Sequence, residues 1–301
     1  MGGKTPGDAA RKAARRPGRG GGEGAPLPAR PVAGERALLF APRGGPRVLV
    51  VGDLHIGIET DYAIGGVRIP SATPSMVDRL RRLAAATRAR QLVIAGDLKH
   101  SVGAPTPQEV VEVPQALDEV ARAFEEVVVV PGNHDGLVGE LVPRQPGSRV
   151  RLAPVGGHLC RGGLLVVHGH AWPDPGLARR ARALATAHTH AAVALQDLMG
   201  KVQKEPCWAR ARVNPEAWRD RFGVEGRPEV ILMPPFNDLC TGVPLNVAGG
   251  LGPLLRGGFV DLGAAEVYLL DGIHLGSLRS LELALAPAQR ARLLRGVHED
   301  L

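Results

Sequence analysis

Five short blocks of the sequence carry side chains that can bind divalent metal ions. Runs of β-type apolar residues precede the first four blocks: RVLVV, QLVIA, EVVVV and GGLLVV. Loops at the carboxyl ends of strands are where open α/β sheets place their chemistry. We therefore expect the blocks to meet at one edge of a sheet. In chain order they are Asp53-Leu54-His55, Gly96-Asp97, Gly132-Asn133-His134-Asp135, His168, and His188-Thr189-His190.

The ligand atoms in these blocks are a mixture of carboxylate oxygens, one amide group and imidazole nitrogens. This mixture suits Mn²⁺, Fe or Zn²⁺, and it contains too much nitrogen for a Mg²⁺ or Ca²⁺ cage. The set is large enough for two ions that share one carboxylate. We therefore expect two divalent metal ions as cofactors, with Mn²⁺ favoured over Fe and Zn²⁺.

The order of the blocks resembles the pattern of the calcineurin-like metallophosphoesterase superfamily, which runs D-x-H, G-D-x-x-[DH], G-N-H-[DE], H and G-H-x-H. All five blocks match this pattern in order. A single block occurs by chance in many chains, whereas the ordered set is specific. We interpret the isolated His158 and His170 as core or solvated residues. The resemblance implies an α/β fold in which two facing mixed β-sheets are flanked by helices, with the metal site at the strand ends.

The resemblance also implies a role for each metal-binding residue, with Asp97 bridging the two ions. One ion would be bound by Asp53, His55, Asp97 and His190, and the other by Asp97, Asn133, His168 and His188. Two such ions clamp the phosphoryl oxygens of an in-line displacement. His134 is not needed as a ligand, and it would donate a proton to the leaving oxygen or stabilise it. Asp135 and His100 are further catalytic candidates.

Three positions depart from what many members of the superfamily carry. Ala187 replaces the glycine before the H-x-H pair, and the loop tolerates this unless the position needs a positive φ. His100 occupies the position where phosphoprotein phosphatases have an aspartate that pairs with the catalytic histidine. We expect His100 to withhold the negative charge that would keep His134 protonated, and so to favour diesters over monoesters. Lys99 replaces an aromatic residue, and its ammonium either contacts a nonbridging phosphate oxygen or is solvated.

The local sequence is similar to two groups within the superfamily. The run G-D-L-K-H-S over residues 96–101 resembles the G-D-L-[FV]-H-S pattern of double-strand-break repair nucleases. Over residues 36–280 the chain resembles the SbcD-related phosphoesterases of archaea. These resemblances imply a two-metal phosphodiester hydrolase with nucleic acid as its expected partner. Two alternatives stay open: a small-molecule phosphodiesterase or phosphomonoesterase, for example for cyclic nucleotides, and a non-catalytic metal-binding partner of a repair complex.

Length and composition fit one domain behind a basic tail. The chain has 301 residues and a net charge of +7, of which residues 1–31 carry +5 because they hold seven basic and two acidic residues. Those residues are rich in Gly, Ala and Pro, so we expect a disordered tail followed by a domain over 32–301. Three scattered cysteines and the lack of a membrane-length or signal-type apolar run favour a cytoplasmic protein without a membrane partner. A homodimer is left open.

Helix and strand signals follow the layered order of an α/β fold. Apolar runs predict strands around 37–52, 91–95 and 126–130, and shorter strands from about Val150. Thr73 is expected to cap a helix that ends near Arg88, and Thr106 to open a capping box for a helix reaching about Phe124. A last helix is expected over 286–297.

The segment 200–228 interleaves basic residues with Trp208 and Trp218. Such a segment is either a ledge on which nucleic-acid bases stack, or an irregular insertion whose tryptophans pack onto the sheet. The basic residues are Lys201, Lys204, Arg210, Arg212, Arg219, Arg221 and Arg227.

Overall fold

The first half of the chain forms a six-stranded sheet with its helices packed on one face. The structure, a computed structural model, describes residues 28–143 and 145–294. The strands are β1 (Ala29–Pro31), β2 (Leu38–Phe40), β3 (Val48–Val51), β4 (Gln91–Ala95), β5 (Glu126–Val130) and β6 (Val150–Leu152). The helices are α1 (Glu59–Ile64), α2 (Thr73–Thr87) and α3 (Pro107–Ala121). Strand order follows the chain, antiparallel from β1 to β3 and parallel from β3 to β6.

The two long helices of this half differ in how closely they follow the sequence pattern. At the start of α3, the Glu109 N–H donates to the Thr106 hydroxyl at 3.3 Å, and the Thr106 N–H donates to the Glu109 carboxylate at 2.7 Å. The predicted capping box is thus present. In α2, Thr73 is the first helical residue rather than the cap. Its hydroxyl donates to Glu112 of α3 at 2.5 Å, so a contact between helices takes the group that was expected to cap α2.

The second half forms a nine-stranded mixed sheet. Its strands are β7 (His158–Leu159), β8 (Leu164–Val167), β9 (Ala183–Thr186), β10 (Ala191–Gln196), β11 (Val202–Arg212), β12 (Glu229–Leu232), β13 (Val243–Pro244), β14 (Glu266–Leu269) and β15 (His274–Ser277). The order is β13-β10-β11-β12-β9-β8-β7, and β14 pairs with β11 and β15. The helices are α4 (Pro175–Ala178), α5 (Pro215–Phe222), α6 (Leu245–Ala248) and α7 (Pro287–Leu293). Single 3₁₀ turns occupy Val138–Glu140, Leu262–Ala264 and Leu278–Leu281.

The two sheets face each other across an apolar layer, and a further apolar layer covers the outer face of each. The inner layer includes, from both sheets, Phe40, Val50, Val93, Val166, Ile231 and Met233. In β3, the alternate residues Leu49 and Val51 belong instead to the layer beneath α2 and α3. Apolar residues at every position of a strand are expected where both faces are covered. This is the predicted α/β sandwich of two mixed sheets flanked by helices.

The segment 200–228 is part of this core. It forms the 11-residue strand β11 and the helix α5, where the sequence pattern predicts neither. Trp208 is 0% exposed between the sheets, and Trp218 is 1% exposed and packs on Phe222 with ring centroids 4.5 Å apart. A buried indole cannot stack on a base. Of the two alternatives for this segment, the nucleic-acid ledge is therefore wrong. The tryptophans pack onto the sheet as the other alternative expected, but from a regular strand and helix and not from an irregular insertion.

The ends of the described chain refine two boundaries. Ala29–Pro31 pair with β2, so ordered structure begins before residue 32, because these residues complete the sheet edge. Residues 1–27 of the predicted tail lie outside the described residues, as do residues 295–297 of the predicted last helix, of which Pro287–Leu293 form α7. Within the described residues, no helix has the length and apolar character needed to span a membrane.

Candidate metal centre

Five of the predicted ligands lie on strained backbone in loops that leave the carboxyl ends of strands. Asp53 and His55 follow β3, Asp97 follows β4, and His188 and His190 follow β9. Their φ angles lie between 43° and 57°. A non-glycine residue in this left-handed region costs about 1–3 kcal/mol and persists only where its surroundings fix it. Such strain, concentrated where strands of both sheets end, is typical of a functional site.

Hydrogen bonds between neighbouring loops hold this backbone in place. The Asp53 N–H donates to the Gly96 carbonyl at 3.0 Å, and the His55 N–H donates to the Asp97 carbonyl at 2.9 Å. The loops after β3 and β4 therefore run side by side as an extension of the parallel sheet. This pairing brings the side chains of both loops to one point.

Two glycines of the motifs allow the ligands to approach closely. A Cβ on Gly96 would lie 2.3 Å from Nδ1 of His168, and a Cβ on Gly132 would lie 2.1 Å from a carboxylate oxygen of Asp97. Real Cβ atoms do not occupy such positions. The glycine in the G-D block and the one in the G-N-H-D block are thus required by the packing of ligands from other loops.

A third glycine is matched to the unusual Ala187. A Cβ on Gly52 would lie 2.5 Å from the Ala187 methyl, so the two positions share room for one methyl group. Ala187 is not among the described residues with a positive φ. Alanine before the H-x-H pair is therefore compatible with this loop.

Four buried side chains form the first ligand group: Asp53, His55, Asp97 and His190. One ligand atom from each lies within 4.8 Å of all the others. His55 Nε2 is 3.2 Å from His190 Nε2 and 3.6 Å from Asp97 Oδ2. His190 Nε2 is 3.5 Å from Asp53 Oδ1. These four residues are the ones expected to share one ion, and their geometry can hold one.

The second expected group is centred on His168. His168 Nε2 lies 3.2 Å from Asp97 Oδ2 and 2.9 Å from Asn133 Oδ1. The other nitrogen, Nδ1, donates to the carbonyl of Ala95 at 2.9 Å, which turns Nε2 towards the ligand atoms. The His188 ring lies edge-on to the His168 ring, with centroids 4.9 Å apart. Asp97 therefore contacts both groups, as a bridging carboxylate would.

The charges of this site fit bound cations. Asp53 Oδ2 is buried and has no hydrogen-bond partner among the described residues, which is costly for a carboxylate unless a cation compensates it. Burial lowers the pKa of His168, but the Asp97 and Asp53 carboxylates outweigh burial and raise it to about 9. The carboxylates thus attract positive charge. At His188 burial lowers the pKa to about 3, which keeps the ring in the neutral form that binds metals.

His134, the candidate general acid, lies beside the first ligand group. Its ring packs edge-on against His55, with centroids 4.8 Å apart, and it is 4% exposed. Its Nδ1 donates to the carbonyl oxygen of His100, and its backbone N–H donates to Asp97 at 2.9 Å. Main-chain contacts thus set the orientation of this imidazole.

His100 is brought to the site, but its side chain has a different partner from the one expected. His100 Nδ1 lies 3.1 Å from His55 Nδ1, and His100 Nε2 lies 2.8 Å from Asp61 Oδ2. The His100 ring only stacks on His134, with centroids 5.6 Å apart. The contact to His134 Nδ1 comes from the His100 carbonyl and not from the His100 side chain.

Asp135 holds loops together rather than facing the cavity. Its carboxylate accepts hydrogen bonds from the N–H groups of Gly132 at 2.8 Å, Leu98 at 3.0 Å and Lys99 at 3.2 Å. Burial, followed by the nearby Asp97 carboxylate, raises the pKa of Asp135 to about 6. These contacts support a positioning role for Asp135, and its catalytic role stays a prediction.

Lys99 is not a solvated side chain, and the closest described partners of its ammonium are main-chain carbonyls. It is 0% exposed, and burial lowers the pKa of its ammonium. The Nζ atom donates to the carbonyls of Ser101, Gly103 (3.1 Å) and His134 (2.6 Å). Converging carbonyls from two loops therefore bind this ammonium inside the protein.

Two acidic residues of the site have no part in the sequence motifs. Glu109, which caps α3, also accepts hydrogen bonds from the N–H groups of His100 at 2.9 Å and Ser101 at 2.7 Å. Its capping box is visible in the sequence, but this second role is not. Asp61 in α1 contacts His100 and gives no sequence signal at all.

An open cavity of about 380 Å³ adjoins the first ligand group. Its wall includes the imidazoles His55, His100, His134 and His190 together with Asp61 and Tyr62. Among the described residues that line it there is no Lys or Arg. A molecule in this cavity would meet the ligand group on one side and His134 on another.

The fold and the site together define a hydrolase of the metal-dependent phosphoesterase class. Two mixed sheets carry a buried His/Asp cluster at their strand ends. The family model for calcineurin-like phosphoesterases matches residues 46–231, and the chain belongs to this family. Membership implies a phosphoesterase that depends on divalent metal ions.

Two solved structures are similar to this chain at low sequence identity. Nuclease MPE from Pseudomonas putida is 19% identical, with 81% of this chain and 97% of that chain covered and a TM-score of 0.44. The phosphoesterase Yfce from E. coli is 16% identical, with 76% and 96% covered and a TM-score of 0.34. At TM-scores below 0.5 the activities of these proteins do not transfer to this chain. No curated protein matches it significantly.

Proposed function

We propose that the protein hydrolyses phosphodiesters with two divalent metal ions, and that nucleic acid is its substrate. The observation that carries the proposal is the position of Asp97. Its Oδ2 atom lies 3.6 Å from His55 Nε2 in one ligand group and 3.2 Å from His168 Nε2 in the other. A carboxylate between two sets of imidazoles suits a pair of cations. Mn²⁺ is the ion we expect.

The ligand assignment follows the two groups. Asp53, His55, Asp97 and His190 would hold one ion, and Asp97, Asn133, His168 and His188 the other. When bound, such a pair of ions acts as Lewis acid on the phosphoryl oxygens and activates water for in-line attack.

His134 is the residue we assign to the leaving oxygen. The His100 carbonyl can only accept, so the hydrogen bond from His134 Nδ1 fixes a proton on that nitrogen. Proton exchange with the substrate would then take place at Nε2. Two hydrogen bonds hold the main chain of His134. The Lys99 ammonium donates to the His134 carbonyl, and the His134 N–H donates to Asp97. An imidazole held in this way is suited to general acid catalysis near neutral pH.

The charges around the cavity support diesters over monoesters. Its described lining contains no Lys or Arg, while Asp61 places a carboxylate at the rim, with 67% of the side chain exposed. A monoester carries close to two negative charges at neutral pH and a diester one, so the monoester is repelled more by Asp61. The preference is the one expected from His100, but its physical source is Asp61.

A small-molecule phosphodiesterase is the second candidate. The same lack of Lys and Arg in the cavity wall, and the burial of Trp208 and Trp218, favour a compact diester over an extended polyanion. Support for nucleic acid comes from the G-D-L-K-H-S run over residues 96–101, which resembles that of the repair nucleases. A role in DNA repair is a prediction from this resemblance, as is the similarity to the SbcD-related proteins.

One comparison of substrates tests the proposal. Purified protein with Mn²⁺ is assayed side by side on bis-p-nitrophenyl phosphate, p-nitrophenyl phosphate, cyclic nucleotides and labelled single- and double-stranded DNA and RNA. We expect metal-dependent cleavage of the aryl diester and of single-stranded nucleic acid. Cleavage of cyclic nucleotides without cleavage of any polymer would select the second candidate. Hydrolysis of monoesters alone would contradict the diesterase proposal.

A further inference from the structure

A chain of three polar side chains runs from the cavity rim to the first ligand group. Asp61 Oδ2 lies 2.8 Å from His100 Nε2, and His100 Nδ1 lies 3.1 Å from His55 Nδ1. The remaining nitrogen of His55, Nε2, faces Asp97 Oδ2 at 3.6 Å and His190 Nε2 at 3.2 Å. The first residue of this chain is 67% exposed and the last is 1% exposed. The chain thus links a surface carboxylate to a buried imidazole.

Hydrogen-bond chemistry gives this chain a direction. An ionised carboxylate only accepts, so His100 donates from Nε2 to Asp61. A neutral imidazole with its proton on Nε2 accepts at Nδ1, so His55 must donate from its own Nδ1. His55 then has its lone pair on Nε2, the atom that faces the other ligands. Each step leaves one arrangement of protons, and the last step produces the form of His55 that can bind a metal ion.

We propose that Asp61 and His100 are positioning residues that fix the tautomer and the ring orientation of His55, and so set the affinity of one of the two metal positions. The inference rests on the proposed function only in that the site binds metal ions. A carboxylate–histidine pair behind a ligating histidine orients the ring and raises its basicity. Here the pair is one residue longer than usual, because His100 lies between the carboxylate and the ligand.

Elements that adjoin the ligand loops hold these three side chains in place. Asp61 belongs to α1, which follows the His55 loop. Glu109 at the start of α3 accepts hydrogen bonds from the N–H groups of His100 and Ser101, which fixes the backbone that carries the second imidazole. Among the described contacts, the side chains of Asp61 and His100 therefore join the ligand groups at His55, and not at His168 or Asn133.

Titration of the metal-free protein with Mn²⁺, in the absence of substrate, tests this inference. The variants are Asp61→Asn, His100→Asn and His100→Ala, and the control is Asp78→Asn. Asp78 is an acidic residue of similar exposure, 62% against 67% for Asp61, and it pairs only with Arg81 in its own helix among the contacts described. Loss of a partner behind a metal ligand typically weakens metal binding about 10–100-fold.

We expect the wild type to bind two ions and each test variant to weaken one binding step only. His100→Ala should have the largest effect, towards the 100-fold end of that range. His100→Asn keeps an acceptor for His55 but does not reach Asp61, so it should resemble Asp61→Asn at roughly 10-fold. Asp78→Asn should bind as the wild type does. Equal weakening of both steps, or wild-type affinity in Asp61→Asn and His100→Ala, would overturn the inference.

Nitrogen-15 spectra of the imidazoles provide a readout that a merely structural role would not change. In the metal-free wild type, His55 should carry its proton on Nδ1, and in His100→Ala it should shift towards the Nε2-protonated form. A wild-type His55 protonated on Nε2 would contradict the proposal. Failure of the proposed function is a separate result, because a protein that binds two ions but hydrolyses no diester would still show these effects.

Discussion

The ligand groups and the wall of the adjoining cavity are built in different ways. Ligands such as Asp97 stand directly after strands, on strained backbone (φ 49°), and are almost completely buried (2% exposed). Apart from the imidazoles that it shares with the site, the wall comes largely from α1, the loop 100–106 and residues 239–241, and includes partly exposed side chains such as Asp61 and Tyr62. The strand ends of the two sheets thus fix where metal ions can bind. Elements outside the sheet decide what lies beside them.

Because of this difference, we assign the reaction to the ligand groups and the choice of substrate to the cavity wall. A ligand group built on strands leaves little room for change, since even a methyl group on Gly96 or Gly132 would collide with a ligand. In the wall, side chains such as Asp61 and His100 contact one another through side-chain atoms. We expect changes in the ligand groups to abolish chemistry, and changes in the wall to alter substrate preference or metal affinity by smaller factors.

The largest effect should come from the shared carboxylate. Asp97→Asn removes the charge that both ligand groups contact, so hydrolysis should fall to background and the content of bound metal should drop. Metal analysis after dialysis and assays with bis-p-nitrophenyl phosphate measure the two effects. Near-normal turnover with two ions still bound would exclude Asp97 as the bridging ligand.

His134 lies where the two regions meet, and its loss should be more selective. His134→Ala should retain both ions and lower turnover by about 10²–10⁴-fold, the usual contribution of a general acid. The loss should be smaller for a p-nitrophenolate leaving group than for an alkoxide, because the former needs little protonation. Steady-state kinetics across a series of leaving groups measure this. An equal loss across the series would indicate a positioning role instead.

The two regions also differ in how far the sequence predicts them. The ligand residues stand in short motifs after apolar runs, and the resemblance of these motifs to the family pattern implied the grouping of Asp53, His55, Asp97 and His190. The capping box at Thr106 is equally local. Local chemistry of this kind depends on a few neighbouring residues, and sequence reasoning captures it well.

Contacts between distant segments are what the sequence did not reveal. From the sequence, Lys99 could equally bind a phosphate or be buried among carbonyl groups, because its charge is the same in both settings. Only the folded positions of Gly103 and His134 show that carbonyl groups surround it. Likewise, Trp208 reads as an aromatic beside basic residues until the pairing of β11 places it between the sheets. In each case the side chain was identified correctly as unusual, and its environment was set by tertiary packing.

The packing of the ligand loops can be tested by moving one methyl group from residue 187 to residue 52. Gly52→Ala should destabilise the fold by about 1–3 kcal/mol, the usual cost of overpacking, because its Cβ would lie 2.5 Å from that of Ala187. The double variant with Ala187→Gly should recover most of this loss. Thermal unfolding of the four proteins of the cycle measures the coupling. Additive losses in the double variant would show that the two methyl groups do not compete.

The position of Lys99 inside the loops gives a prediction on stability and not on substrate binding. Lys99→Met leaves the carbonyls of Ser101, Gly103 and His134 without their shared donor, which should cost about 1–3 kcal/mol. KM for bis-p-nitrophenyl phosphate, and its dependence on salt, should stay close to wild type. Urea unfolding and kinetics at two salt concentrations test both parts. A large rise in KM with unchanged stability would return Lys99 to a role at the substrate phosphate.

The smallest effect concerns the exposed carboxylate of the wall. The wild type should hydrolyse bis-p-nitrophenyl phosphate faster than p-nitrophenyl phosphate, and Asp61→Asn should shift this ratio towards the monoester. Because the Asp61 side chain is 67% exposed, solvent weakens its repulsion of the second phosphate charge. Exposed charge pairs contribute about 0.2–1 kcal/mol, so the ratio should change by roughly 1.4–5-fold, and less at high salt. The assays use Mn²⁺ at concentrations that saturate both positions in each protein, so that weaker metal binding does not enter the ratio. An unchanged ratio at low salt would show that the wall does not select by charge, and the diester preference would then have to come from the ligand groups themselves.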